Sequence, residues 1–309
     1  MALVRVPGFG RHGVVHDTVA EALPTGVWSD ALNMRFTGVE MQKMLEPTLF
    51  TAWDYDTNGR PVWFQQWADG LSTYIAVATA GALWVYLDQG LGSPSWVDAS
   101  RSAPYNTDGY WDSFAWGDTC IFNNGIDAPQ IFNQNTAAFE DLPGWGLIST
   151  ADDIFNNRPP TRKVQASCVR LVPFKSFLVA VGVTEGGRYQ PNKVWWSDTT
   201  NFAGYAGAPS WDYETPATLS GQIVIDPEGG AIRTAAVLNE QLIIYTDAGA
   251  TAQLVVGGSL VMQFRRLFKK GAAGVHTVTE FNNQHFVVSQ DQIYIHDGST
   301  VVGNLIAKD

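Results

Sequence analysis

Five stretches of the sequence share one pattern, in which an apolar run, a two-residue turn and a second apolar run follow each other. Alternating apolar residues on both sides of an Asn, Asp or Gly turn are typical of β-hairpins. In four of the five cases a third apolar run follows, which indicates a meander of at least three strands. The five stretches are residues 74–86, 113–122, 169–181, 234–245 and 277–288, and the third runs are residues 130–133, 193–198, 252–257 and 292–298.

This repetition constrains the fold more than any other feature of the sequence. Units of three or four strands that recur every ~40–50 residues indicate the blades of a β-propeller. We therefore predict an all-β fold, a β-propeller-like array of about five to six short antiparallel blades over residues 47–309, after an extended N-terminal arm at residues 1–46. An all-β sandwich is the alternative fold.

Three local expectations follow from the same pattern. Two longer spacings contain insertions rich in Gly, Pro and Trp, residues 139–163 and 199–232, which we expect to form loops on one rim. A further hairpin is predicted at residues 48–67, with its turn at Thr57-Asn58-Gly59. Adjacent Trp195 and Trp196 must point to opposite faces of a strand, so we expect one in the core and the other at a rim or interface.

The composition fits a β fold with extensive subunit contacts. The chain has 12 Trp, 10 Tyr, 16 Phe and 30 Gly, which suits large flat side chains linked by tight turns. Charged residues make up 16% of the chain, against about 25% in typical globular proteins, and interface cores are rich in aromatic residues and poor in charge. Cys120 and Cys168 match no metal-ligand spacing, so both are predicted to be buried thiols.

The charge excludes a general nucleic-acid binder. The net charge is −11, whereas neutralising phosphates requires clustered Lys and Arg. The only dense basic run is Arg265-Arg266 with Lys269-Lys270. The first residues show no signal-peptide pattern, and no apolar run approaches the ~20 residues of a membrane helix. We therefore expect a protein made in the cytoplasm without membrane anchoring.

No catalytic motif is present, so we predict that the protein is not an enzyme and binds no cofactor or metal. His276 and His285 could face each other across the hairpin at Asn282-Asn283, with His296 in the same region, but further metal ligands are missing. The acidic pairs fit turns better than a glycosidase pair, and blade packing is preferred over sugar stacking for the Trp candidates. The pairs are Asp54/Asp56, Glu140-Asp141 and Asp152-Asp153, and the Trp candidates are Trp111, Trp116, Trp195 and Trp196.

Residues 13–46 fit no helical or strand period and combine a Leu-Pro break, a Gly turn and aromatic anchors, as expected of an arm. Their order resembles the N-terminal signature of the tail nozzle family of short-tailed bacteriophages, also described as packaged-DNA stabilisation or tail tubular proteins. The matching positions are Gly13-Val14, Asp17, Leu23-Pro24, Gly26, Trp28, Ser29-Asp30, Asn33 and Arg35-Phe36, with shorter similar stretches at residues 194–198, 209–212, 243–267 and 286–298.

The sequence departs from that family at two places. Thr37-Gly38 stands where family members usually have Asp-Gly, and the sequence ends at Asp309, whereas family members generally continue well past a His-Asp-Gly turn. A truncated or divergent member is therefore expected.

The resemblance implies a structural virion protein, located in the virion tail and assembled in the host cytoplasm. It would form a homo-oligomeric ring, a homohexamer, below the portal and adaptor proteins. The ring would retain genomic DNA, conduct it non-specifically through a central channel during DNA ejection, and dock tail fibres or spikes. The candidate interface residues in the arm are Asp17, the apolar anchors Trp28 and Phe36, the backbone caps Ser29, Asp30 and Asn33, and Arg35, which would pair with a carboxylate.

Two other functions fit the residues. A carbohydrate-binding or glycoside-cleaving propeller would bind glycans through an exposed Trp. A non-viral scaffold propeller would bind partner proteins without any virion. Ring-shaped oligomers that assemble with an adaptor would distinguish the tail nozzle from both.

Overall fold

The computed structural model describes residues 34–36, 41–43, 53–87, 95–201, 204–225, 229–257 and 261–307. The chain forms two compact units, Met1–Ala52 and Trp53–Asp309. In the first unit, β1 (Met34–Phe36) pairs with β2 (Met41–Lys43) in an antiparallel hairpin. The remainder of the predicted arm lies outside the described residues.

Among its described residues, the second unit contains five four-stranded antiparallel sheets, and each is a meander of strands that are consecutive in sequence. Blade 1 consists of β3 (Trp63–Ala68), β4 (Thr73–Ala78), β5 (Leu83–Leu87) and β6 (Ser95–Asp98). Blade 2 consists of β7 (Asp112–Trp116), β8 (Thr119–Asn123), β9 (Gln130–Asn133) and β10 (Ala138–Asp141). A small hairpin, β11 (Leu147–Ile148) and β12 (Arg162–Lys163), precedes blade 3.

Blades 3 to 5 are built in the same way. Blade 3 consists of β13 (Ala166–Phe174), β14 (Phe177–Glu185), β15 (Arg188–Trp196) and β16 (Gly221–Val224). Blade 4 consists of β17 (Ile232–Leu238), β18 (Gln241–Thr246), β19 (Ala250–Val255) and β20 (Met262–Phe268), and blade 5 of β21 (Val278–Phe281), β22 (Gln284–Val288), β23 (Gln292–His296) and β24 (Val301–Ala307). The described helices are short: α1 (Tyr55–Asn58), α2 (Ala151–Phe155) and a 3-10 turn at Gly204–Gly207.

The first strands of the blades lie innermost. β3 contacts β7, β13 contacts β17, and β17 contacts β21, while blade 2 meets blade 3 through β8 and β13. Successive sheets therefore meet through their inner strands, as propeller blades do, whereas a sandwich would stack two sheets face to face. The predicted all-β, propeller-like array is confirmed, with five blades.

Four junctions between successive blades each enclose a hydrophobic cluster. The cluster between blades 1 and 2 is aromatic and includes Trp67, Trp111 and Phe122. The cluster between blades 3 and 4 is aliphatic and includes Val179 and Ile244. Each fully buried large side chain contributes roughly 1.5–3 kcal/mol, so these junctions provide most of the apolar stabilisation of the unit.

The two insertions, predicted at residues 139–163 and 199–232 as rim loops, place Trp side chains in the protein interior, and their location on a rim stays a prediction. Trp145 packs on Trp195 and Trp211 with ring centroids 4.9 and 4.6 Å apart. Trp145 and Trp211 are both buried, because the insertions fill the space between blades 2 and 3 with apolar rings. A pair of hydrogen bonds from Ser149 to Asp212 joins the two insertions.

The predicted hairpin at residues 48–67 is also wrong. Asp54 accepts hydrogen bonds from two backbone N–H groups and so begins the short helix α1, which Gly59 ends with a φ of +82°. The Asn58-Gly59 pair therefore ends a helical turn, a position that favours Gly because its φ is positive. β3 pairs with β4 instead, which means that the repeat at residues 74–86 supplies the second and third strands of blade 1.

Candidate functional site

A circuit of side-chain contacts near the innermost strands links the blades to one another. The Trp63 Nε1–H of blade 1 donates to Ser113 Oγ of blade 2 over 2.8 Å. Arg170 of blade 3 donates from Nε to Asp112 Oδ2 of blade 2 over 2.7 Å, and from Nη1 to Thr234 Oγ1 of blade 4 over 2.8 Å. Arg170 and Asp112 are mostly buried, so this ion pair is screened less than a surface pair.

The circuit closes through the loop that precedes blade 5. Thr234 Oγ1 donates to the carbonyl oxygen of Val275 over 2.8 Å. The next residue, His276, stacks its ring on Trp63 of blade 1 with centroids 4.7 Å apart and planes 22° apart. We call these residues, with Ser113, Asp112 and Arg170, the axial circuit. Each blade is completed by its own strands, so a side-chain stack, and not a shared strand, joins the loop before blade 5 to blade 1.

A second polar cluster lies buried between blades 4 and 5. The Tyr245 hydroxyl lies 2.7 Å from His285 Nδ1 and 2.6 Å from His296 Nε2. His285 in β22 pairs across the sheet with His296 in β23, and both rings are 0% exposed. His285 does not face His276 across the hairpin, as the sequence would have allowed, because the register pairs His285 with Glu280 and His276 lies on the axial circuit.

The hydrogen-bond partners of the two ring nitrogens that do not contact Tyr245 define which nitrogen of each imidazole carries the proton. The Gly298 N–H donates to His296 Nδ1 over 3.0 Å, so the proton of this neutral ring is on Nε2 and is donated to the Tyr245 oxygen. His285 Nε2 lies 2.9 Å from the carbonyl oxygen of Val237. Since a carbonyl only accepts, His285 carries its proton on Nε2, and Tyr245 donates to His285 Nδ1. Every polar atom of this histidine pair has a partner.

Burial keeps the pair neutral. It lowers the pKa of His296 to about 4, with a further contribution from the neighbouring His285. Burial likewise lowers the pKa of His285 and raises that of the Tyr245 hydroxyl well above its ordinary value. With all four ring nitrogens hydrogen-bonded, these residues do not fit a metal site. In the described part of the chain no group of three or more His, Cys, Asp or Glu residues could hold a metal ion.

The acidic pairs serve local structure. Asp54 caps α1, and Asp153 forms a capping box with Thr150 at the start of α2. Hydrogen bonds from the backbone N–H of Thr150 and the side chain of Thr161 lower the pKa of Asp153 to about 2. Glu140 and Asp141 end β10, where Glu140 accepts a hydrogen bond from the Tyr205 hydroxyl over 2.6 Å.

Three of the four Trp candidates for sugar stacking are core residues. Trp111, Trp116 and Trp195 are buried, whereas the neighbouring Trp196 is partly exposed. The expectation that one of Trp195 and Trp196 lies in the core is confirmed for Trp195, whereas Trp196 packs against the cluster between blades 3 and 4, so its rim or interface position stays a prediction. Cys120 and Cys168 are free and buried, as predicted, and burial raises the pKa of both thiols.

The arm residues that the sequence assigns to an interface stay a prediction. Arg35 and Phe36 lie in β1, paired with Gln42 and Met41 of β2. The others, Asp17, Trp28, Ser29, Asp30 and Asn33, lie outside the described residues.

Sequence analysis missed four apolar side chains that are largely exposed. Leu71 at a hairpin tip of blade 1 is 96% exposed, and Phe155 on α2 is 88% exposed. Phe64 on β3 and Phe281 on β21 are 72% and 70% exposed. Hydrophobicity alone does not reveal exposure, so only the register of the strands and turns identifies these positions.

Comparison with known proteins gives similarity at the level of structure only. No family model matches the chain, and no curated protein matches its sequence. One similar structure is the crystal structure of BBS1N in complex with ARL6DN, at 10% identity and a TM-score of 0.40, covering 76% of this chain and 64% of that chain. Another is Kluyveromyces lactis Hsv2p, at 11% identity and a TM-score of 0.39, covering 79% of this chain and 63% of that chain.

The chain thus spans less than two thirds of either structure. The class of the protein, a five-bladed propeller-like protein, is defined by its own sheet order and blade junctions. Among the described residues, no helix is both long and apolar enough to cross a membrane.

Proposed function

We propose that this protein is a structural assembly protein, a stiff propeller that binds other subunits through its surface and catalyses no reaction. The observation that carries this proposal is that the buried polar groups connect the blades, while large apolar side chains are exposed at the surface. Arg170, Asp112, His285 and His296 bind blades to one another, while the large apolar residues Leu71 and Phe155 project outward. Aromatic and apolar anchors of this kind dominate the energetics of protein interfaces.

An assembly function predicts that Phe155 contributes to binding and not to folding. Phe155→Ser and Leu71→Ser should leave the melting temperature nearly unchanged, because both side chains are almost fully exposed. Self-association or partner binding, measured by analytical ultracentrifugation, should weaken for at least one of them. Ile121→Ser in the buried strand β8 is the contrast, because it should lower the melting temperature strongly.

The more specific proposal is a tail nozzle of a short-tailed bacteriophage. Its support is the sequence resemblance at residues 13–46, together with the low charge and the many aromatic residues that suit subunit interfaces. The partners would be other copies in a hexameric ring, the portal and adaptor proteins, and tail fibres or spikes, with genomic DNA passing non-specifically through the channel. The protein would then reside in the virion tail.

Electron microscopy of the purified chain, alone and mixed with portal–adaptor complexes, tests this role. Rings that add to the adaptor end are the expected result. A strictly monomeric particle that does not bind adaptor complexes at high concentration would contradict the nozzle. The non-viral scaffold propeller would then be the better interpretation, since the propeller-like fold supports it and lends no support to a phage role in particular. Buried Trp111, Trp116 and Trp195 favour neither sugar binding nor sugar cleavage.

A further inference from the structure

The junction between blades 5 and 1, which we call the fifth junction, differs from the other four. His276, just before blade 5, stacks on Trp63 of blade 1 and so brings the first and last blades together. Each of the other junctions encloses a hydrophobic cluster, but no cluster of the described residues lies between blades 5 and 1. The sheet faces that border this junction therefore contact no neighbouring blade through such a core.

The wall that blade 1 contributes to the fifth junction is aromatic and apolar. The strand register places Phe64, Val77 and Trp84 on one face, with Ile75 two residues before Val77. The alternate residues, such as Trp67, pack toward blade 2, so this face is turned away from blade 2 and toward blade 5. Phe64 is 72% exposed, and Ile75 and Trp84 are half-buried.

The wall that blade 5 contributes is apolar as well. Val287 packs toward blade 4, so the alternate residues of the same sheet face the fifth junction. Phe286 and Ile295 are paired on that face, with Ile293 two residues before Ile295, and all three are half-buried. Phe281, at the end of β21, lies on the same face and is 70% exposed.

Two apolar walls define the shape of what can lie between them. Successive side chains of an extended segment point to opposite faces, so one set would contact blade 1 and the other set blade 5. A strand buried on both faces carries a nearly continuous apolar run. The described strands of these two blades are four to seven residues long, which sets the length of such a run.

The charge around the fifth junction selects a basic segment. Residues 53–98 contain five Asp and one Arg, and residues 270–307 contain three carboxylates and one Lys. Asp98 lies on the same face as Trp84 and is exposed. A negative field attracts cationic partners and disfavours acidic ones. A second copy of this chain, whose net charge is −11, is therefore a poorer occupant than a basic partner.

We propose that the fifth junction binds an extended basic segment of a partner protein, in which about six consecutive β-branched or aromatic residues lie between Lys or Arg residues. The inference rests on the proposed assembly function and names a binding site and the chemistry of its partner. The apolar run packs between the two sheets, and the basic ends lie near the carboxylates of blades 1 and 5.

Fluorescence anisotropy with the full chain tests this proposal. The probe is a labelled peptide with about six alternating Val and Phe residues between pairs of Lys, and a second peptide has Glu in place of each Lys. The Lys-flanked peptide should bind, and the Glu-flanked one should bind at least about tenfold more weakly, because its charges oppose those of the site. Asp98→Asn, which keeps an oxygen for the N–H of Ser100, should weaken binding of the Lys-flanked peptide.

Variants of the two walls locate the site. Phe64→Ser with Phe281→Ser should lower the affinity for the Lys-flanked peptide at least about tenfold, while the melting temperature stays nearly unchanged because both side chains are largely exposed. Tyr189→Ser with Val224→Ser, at exposed positions of blade 3, is the matched control and should bind like wild type. Bound peptide should slow amide hydrogen exchange in blades 1 and 5 but not in blade 3.

The other outcomes would overturn the inference in distinct ways. If the Lys-flanked peptide does not bind, or binds the Phe64→Ser and Phe281→Ser variant equally well, the site is wrong, while self-association or adaptor binding would leave the assembly function standing. Equal binding of both peptides would contradict the basic partner. If wild type binds no peptide but self-associates, and the same variant does not, the occupant is a second copy. A chain that binds no peptide, copy or adaptor would contradict both proposals.

Discussion

The buried histidine pair predicts that the protein loses stability in mild acid. The folded state holds His296 neutral, with a pKa of about 4 because of burial, whereas an unfolded His has a pKa of about 6.5. Because the folded pKa is the lower one, the unfolded state binds the proton first. The stabilisation is therefore complete above about pH 6.5 and is lost as the pH falls toward about 4.

The magnitude follows from the two pKa values. Between about pH 7.5 and about pH 5, the unfolded His296 becomes almost fully protonated while the folded one stays mostly neutral. Linkage then removes about 2 kcal/mol from the free energy of unfolding at His296 alone. His285, whose pKa is also lowered by burial, changes stability in the same direction. Most carboxylates titrate below this interval, so the histidines dominate it.

Urea unfolding of wild type and His296→Gln at the two pH values measures the effect. Gln can still donate from Nε2 to the Tyr245 oxygen, but it does not titrate. The variant should therefore show a pH-dependent loss about 2 kcal/mol smaller than wild type. Tyr245→Phe is the control, because it removes the shared hydroxyl, leaves both imidazoles, and should cost roughly 1–3 kcal/mol already at neutral pH.

Nitrogen-15 spectra of the histidine rings check the same network directly. Both rings should carry their proton on Nε2 near neutral pH, as the carbonyl of Val237 and the N–H of Gly298 require. A proton on Nδ1 of either ring would refute the assignment. An identical pH dependence in wild type and His296→Gln would refute the energetic argument as well.

Three other predictions concern the blades and the arm. Arg170→Ala should destabilise the protein by about 2–4 kcal/mol in urea unfolding, because it leaves the mostly buried Asp112 without its partner in the axial circuit. An unchanged free energy of unfolding would show that the ion pair does not stabilise the fold. Gln253 is fully buried, and its side-chain amide has no hydrogen-bond partner in the described part of the chain. Gln253→Met should therefore raise the free energy of unfolding by about 1–2 kcal/mol, and a decrease would show that the amide is satisfied. Trp28→Ala with Arg35→Ala should leave circular dichroism and melting unchanged but weaken ring assembly in electron microscopy, since neither residue lies in a repeat unit of the sequence; a collapse of melting would place the arm in the core.

The repeats could be predicted from the sequence because each blade consists of strands that are consecutive in the chain. A polar pair such as Asn282-Asn283 supplies two residues with positive φ between apolar strands, and this signal needs no knowledge of distant residues. The third strands at residues 130–133 and 292–298 were visible for the same reason. Burial of Cys120 and Cys168 followed from their apolar surroundings.

The side-chain contacts between blades could not be predicted from the sequence in this way. The meeting of Trp145 with Trp211, or of His285 with Tyr245, depends on how two sheets pack, and neither sequence spacing nor turn chemistry encodes it. The hairpin predicted at residues 48–67 failed because Asp54 favours helix initiation through its side chain, and this local preference outweighed the Asn58-Gly59 turn signal. The axial circuit joins residues from blades 1 to 4 and from the loop before blade 5, so it could not be predicted before the fold was known.

Closure of the ring by the stack of His276 on Trp63 has a consequence for synthesis on the ribosome. Each blade is complete as soon as its own four strands have emerged, so the nascent chain can fold in order without waiting for a distant strand. Among the described residues, the stack of His276 on Trp63 joins the earliest blade to the loop before the last one. Its formation would mark a late step of folding, and a chain cut short before His276, which lacks both the stack and blade 5, should be a stable but open arc.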